Sequence, residues 1–161
     1  MESVDVNADS NGLNADELYD AAWSDDIARI DALVEAGIPI DGIGRYGFPA
    51  LYGAIENTSE RAMFRLLDHG ASVHLYCGTD AWTPLSHAVE FAVLCVTDNV
   101  HTDVPIRAVK ALCERGASPH VRAGPLGCSP MQYAQSLAAQ NITREIGVTL
   151  LRIFGKFAEP L

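Results

Sequence analysis

The chain has 161 residues, 48% of them hydrophobic, and a formal net charge of −10. That length suits one domain with a sizeable core, and no apolar run is long enough to span a bilayer. Residues 1–12 are polar and acidic, with neither a basic start nor an apolar core, so they are no secretory signal and the expected setting is cytoplasmic.

Met1 to Gly12 reads as a disordered acidic leader. Asn14 followed by Glu17 resembles a capping box and starts a first helix with Leu18, Ala21 and Ala22 inward. Ser24, Asp25 or Asp26 begins a second, with Ile27, Ile30, Leu33 and Val34 as its apolar stripe. Gly37 stops it by supplying a left-handed residue. The third helix opens at Pro49 and runs to about Glu56. Thr58 or Ser59 caps the fourth, whose core face is Ala62, Met63, Leu66 and Leu67, and Gly70 closes it. Segments 38–48 and 71–82 link successive helix pairs, with Gly47 and Gly78 suited to their turns.

At Thr83-Pro84 a cap and a first-position proline open a fifth helix, placing Leu85 and Ala88 on one face. The run Val93-Leu94-Cys95-Val96 continues it, Thr97-Asp98-Asn99 breaks it, and His101-Thr102-Asp103 precedes a sixth helix starting near Pro105. Ser129-Pro130 opens the seventh. The last helix is apolar, with Ile142, Ile146, Val148, Leu150, Leu151, Ile153, Phe154 and Phe157. Such an outer face needs a cover, either the tail 158–161 or another chain.

Two landmarks recur along these elements. Leu18, Leu51, Leu85 and Met131 occupy matching places, Leu18 and Leu51 being 33 residues apart and Leu51 and Leu85 34. Leu33-Val34-Glu35-Ala36-Gly37 matches Leu66-Leu67-Asp68-His69-Gly70 and Leu112-Cys113-Glu114-Arg115-Gly116. Leu18 to Gly37 and Leu51 to Gly70 both span 19 residues, whereas Leu85 to Gly116 spans 31 and Met131 to Gly155 spans 24. Thr83-Pro84-Leu85-Ser86-His87-Ala88 resembles the Thr-Pro-Leu-His-x-Ala signature that opens an ankyrin repeat. The resemblance implies an all-α ankyrin-repeat solenoid of helix pairs linked by β-hairpin-like fingers. It covers 13–157 as one domain, in repeats of about 13–44, 45–78, 79–124 and 125–157. The third repeat carries an insertion at 92–105, read as a loop extension or an added contact loop. An ordinary helical bundle is the alternative fold.

Little of the sequence points to chemistry. Cys77, Cys95, Cys113 and Cys128 are widely spaced and form no Cys-x-x-Cys pair, so reduced thiols are expected, with Cys113 in the core. His69 precedes a closing glycine, His74 and His120 share one repeat position, and His87 lies beside the place where the family has histidine, here Ser86. His101 falls in the insertion. No metal, cofactor or phosphate loop is implied.

Charge is uneven. Residues 1–41 hold eleven acids and one base, Arg29, while the remainder balances to zero. Such a pole repels nucleic acid and steers a basic partner; a solvated terminal cap is the alternative. In ankyrin-like stacks the first helices and fingers line a concave groove where partners bind. Carried over by position, the fingers present Ile43, Arg45, Tyr46, Phe48, Tyr76, Thr79, Asp80, Trp82, Arg122 and Leu126, and the first helices Trp23, Glu56, Asn57, Glu90 and Phe91. Aromatics and arginine are enriched at binding hot spots, though Phe48 and Trp82 could instead pack between fingers.

The resemblance thus implies a protein-binding module rather than an enzyme. The expected role is a stoichiometric inhibitor, an immunity protein that neutralises a cognate basic toxin through the groove, without membrane or cofactor. Arginine outnumbers lysine nine to two, a bias of GC-rich bacterial genomes. A scaffold, adaptor or kinase-inhibitor-like regulator is the alternative, and a small hydrolase or thiol enzyme the remote one.

Overall fold

The computed structural model describes residues 14–98, 100, 102–141 and 143–157. The leader 1–12, Asn99, His101, Ile142 and the tail 158–161 lie outside the described residues. Within them the fold is all-α, eight helices and no strand. None of these helices is long and apolar enough to cross a membrane. The chain divides into two compact units, Met1–Ala71 and Ser72–Leu161.

The first unit holds α1 (Ala15–Trp23), α2 (Ile27–Glu35), α3 (Ala50–Glu56) and α4 (Glu60–Asp68). Helix α1 packs on α2 and α3, and α4 packs on α2 and α3. The core is the expected apolar set, with Leu18, Ala22, Ile30, Leu33, Leu51, Met63 and Leu66 fully buried. Gly53 lets α1 and α3 approach: a Cβ there would stand 2.8 Å from the Tyr19 ring.

The helix ends follow their cap chemistry. Asn14 Oδ1 accepts from the Asp16 and Glu17 N–H groups at 2.9 and 3.2 Å, while the Glu17 carboxylate pairs with Arg29 instead of closing a box. Of the three candidates for the second cap, Asp26 serves, its Oδ1 accepting from Arg29 N–H at 3.0 Å. Asp25 has a different task. Held at φ 56, it accepts the Ala62 N–H of α4 at 2.7 Å. Ser59 occupies the N-cap position of α4, yet its hydroxyl donates to the Trp23 carbonyl at 2.7 Å, and the Asn57 amide reaches the same carbonyl at 2.6 Å. Orphan groups at the ends of α1 and α4 are therefore satisfied from the neighbouring helix pair.

The second unit holds α5 (Pro84–Thr97), α6 (Val104–Glu114), α7 (Pro130–Ala138) and α8 (Arg144–Phe154). Its caps are local. Thr83 and Ser86 form a full capping box, as do Ser129 and Gln132. Much of the 92–105 insertion is helix rather than loop, because Ala92 and Val93 bury apolar surface and carry α5 to 14 residues. Gly147 seats α8 against α7, where a Cβ would stand 2.3 Å from the Ala138 backbone nitrogen. On α8, Ile146, Leu150 and Phe154 are buried, Leu151 and Ile153 half-buried, and Val148 exposed, while Phe157, expected on this helix, lies half-buried in the turn after it.

Gly37, Gly70 and Gly116 close their helices at φ 93, 91 and 93, the left-handed residue the spacing predicts. Gly155 departs, keeping a right-handed φ of −61 as the chain continues into a further turn. The links are less regular than β-hairpins. Cys77 and Trp82 exchange two backbone hydrogen bonds of 2.8 Å, and Ala123 bridges Cys128, each an isolated antiparallel pair.

Candidate functional site

In the first unit the end of α1 and the link before α3 assemble an aromatic and acidic cluster. Tyr19 and Trp23 lie one turn apart on α1, their ring centroids 6.2 Å apart and nearly parallel. Tyr46 stacks on Tyr19 at 4.6 Å. The Arg45 guanidinium sits 4.7 Å above the Tyr46 ring, donates to the Tyr46 hydroxyl at 2.7 Å and pairs with Asp20 at 3.2 Å. The Tyr46 hydroxyl donates to Asp20 Oδ1 at 3.3 Å, and the Tyr19 hydroxyl to Glu56 at 3.2 Å. Burial, followed by the Glu56 carboxylate, pushes the Tyr19 phenol well above its ordinary value. Trp23 is nevertheless 42% exposed and Tyr46 45%. Tyr19, Asp20, Trp23, Tyr46 and Glu56 line an open cleft of about 610 Å³, its mouth included.

Of the sequence-derived candidates, Trp23, Arg45, Tyr46 and Glu56 come together here. Ile43 is exposed on the same link. Phe48 is half-buried with its ring 5.2 Å from Tyr52, which agrees with local packing. The Asn57 side chain is exposed, and its amide is taken up by the Trp23 carbonyl. Sequence reasoning passed over Tyr19 and Asp20. A glycine inside the third helix, Gly53, was a signal of Tyr19, because it leaves room for the Tyr19 ring.

The acidic stretch is partly answered within its own unit. Asp16 and Asp20 face Arg45, Asp25 faces Arg61, and Asp31 takes both the Nε and the Nη2 of Arg65 at 2.6 and 2.8 Å. His69 Nε2 adds a contact to Asp31 at 2.7 Å. Hydrogen bonds from Arg65 and then His69 hold the Asp31 carboxyl down at about 2. The unit still carries the whole formal charge of −10, and the second unit sums to zero.

In the second unit Trp82 is half-buried, edge-on to His87 at 5.5 Å, and His87 in turn lies 5.1 Å from Phe91. Trp82, Glu90 and Leu126 line a narrow surface hollow with Tyr133. Burial and then the Glu90 carboxylate push the Tyr133 phenol up to about 12. Tyr76 is 52% exposed and Leu126 63%, and Thr79, Asp80 and Arg122 are exposed. Tyr76 lines a separate hollow with Val73, His74 and Leu85, and Arg122 another with His120 and Gln135.

Cys77 and Cys113 are buried and in no disulfide, and burial pushes the Cys113 thiol up to about 12, away from the thiolate that nucleophilic chemistry uses. No protein-family model and no curated protein matches the chain.

Proposed function

We propose that the chain is a protein-binding module of the ankyrin-repeat kind, its four helix pairs stacked as a solenoid with short finger-like links. It works as a stoichiometric inhibitor of a basic protein, as an immunity protein neutralises a cognate toxin. One observation carries the reading. An exposed Trp23 and Tyr46 stand on an ordered aromatic stack inside the unit that holds all the net negative charge. Large aromatic area at low entropy cost is what hot spots use, and the charge speeds encounter with a basic surface. The closing glycines and the paired turns at 77–82 and 123–128 support the repeat reading.

The scaffold or adaptor reading is favoured by a different observation, the second unit's own exposed Tyr76 and Leu126. The test is affinity capture from the native source with wild-type protein and with Trp23→Ala/Tyr46→Ala. A single basic protein held one to one, whose activity is blocked by wild type and not by the double variant, supports the inhibitor. Several acidic or neutral partners retained equally by both proteins contradict it.

A further inference from the structure

The first unit's cleft has a chemistry narrower than a general protein interface. Its walls are π-faces and its polar groups are carboxylates: Tyr19, Trp23 and Tyr46 with Asp20 and Glu56. That pairing favours a cation. A ring face attracts a cation through its quadrupole, tryptophan most strongly, and a carboxylate offers about four lone-pair sites. Asp20 is 54% exposed at its side chain and accepts from Arg45 and Tyr46 at 3.2 and 3.3 Å, so its acceptor capacity is not filled. The molecule also shows which cation the cluster suits. Arg45 lays its planar guanidinium over Tyr46 while bonding to Asp20. Trp23 stacks on Tyr19 in the same cluster and is 42% exposed, leaving indole surface open to solvent.

We propose that this cleft receives an arginine side chain of the protein partner, its guanidinium stacked on Trp23 and hydrogen-bonded to Asp20. The inference rests on the protein-binding reading and names the group recognised. Arginine is favoured over lysine because a planar fork stacks and bonds at once, while an ammonium is a strongly hydrated point charge. The surplus of negative charge in this unit draws the same group in.

Trp23 and Trp82 are the chain's two tryptophans, one in each unit, so indole N–H signals of the full chain resolve the question. The probes are acetyl-arginine amide, acetyl-lysine amide and acetyl-citrulline amide, the last neutral and nearly isosteric with arginine. The arginine probe shifts Trp23 saturably and leaves Trp82 in place. Citrulline binds at least about tenfold more weakly, because the cation is what the ring and carboxylate recognise. Asp20→Asn weakens arginine several-fold. Arg45→Gln strengthens it, by removing the internal competitor for Asp20. Arg61→Gln, the same change of charge beside Asp25, leaves it unaltered. Equal binding of citrulline, tighter binding of lysine, or equal gains from Arg45→Gln and Arg61→Gln each overturn the proposal. A protein partner whose affinity survives Trp23→Ala/Asp20→Asn overturns the cleft alone. Saturable arginine binding by a chain that captures no protein overturns the protein-binding reading alone.

Discussion

The two units are built from the same part, a pair of helix pairs, and hold it together differently. In the first, polar groups cross between helix pairs: Asp25 to the start of α4, Asn57 and Ser59 to the end of α1, Asp31 to Arg65 and His69. In the second, the caps of α5 and α7 close on themselves through Thr83 with Ser86 and Ser129 with Gln132, and Tyr133 on α7 reaches Glu90 on α5. The first unit is charged and the second neutral. Buried apolar stripes and closing glycines make the fold in both. To that common frame the first unit adds the net charge and the exposed aromatic stack on which the proposed function rests.

The comparison can be broken most forcefully in the cores, which it treats as equivalent. Leu33 and Leu112 are both fully buried second-helix leucines. Leu33→Ala and Leu112→Ala should each destabilise by about 2–5 kcal/mol in chemical denaturation, with a similar cost in the two units. A negligible loss in one would mean that its core is not the apolar stripe described.

The caps sharpen it at a smaller scale. Thr83→Ala and Ser129→Ala should each cost about 1 kcal/mol, since a helix N-terminus loses its side-chain acceptor. Ser59→Ala is expected to act elsewhere, on the Trp23 carbonyl, so it should disturb the Trp23 indole signal while Ser129→Ala does not.

Acid separates the units most finely. The Asp31 carboxyl titrates lower in the folded protein than its ordinary value of 3.8, so its stabilisation is complete above that value. It is lost as pH falls toward about 2, where the folded carboxyl takes up its proton. Asp31→Asn should remove that part of the acid dependence when unfolding is followed through Trp23 in a Trp82→Phe background. An unchanged pH profile would show that the contacts of Arg65 and His69 with Asp31 contribute nothing to stability.

The helices were legible because their ends are written locally. Pro84 and Pro130 behind Thr83 and Ser129 mark starts, and Gly37, Gly70 and Gly116 mark stops. The cluster was only half legible. Trp23, Arg45 and Tyr46 stand out by residue type, whereas the acids between Asp16 and Asp31 read as one block of charge. Their partners lie about one repeat away, Asp20 being 25 residues from Arg45 and Asp31 34 from Arg65. Composition by segment separates such pairs and overstates the free charge. The length of α5 was legible as well: the apolar run Val93-Leu94-Cys95-Val96 carries the helix on, and it ends at Thr97 with Asp98 as its cap.

The central claim is that the first unit's aromatic and acidic cleft meets a basic group of a partner protein. A structure of the chain with its captured partner tests it most directly. The account predicts an arginine of the partner against Trp23 and Asp20, with Tyr46 buried in the interface. A partner seated on the exposed Leu94, Val96 and Val100, leaving Trp23 and Tyr46 bare to solvent, would contradict it.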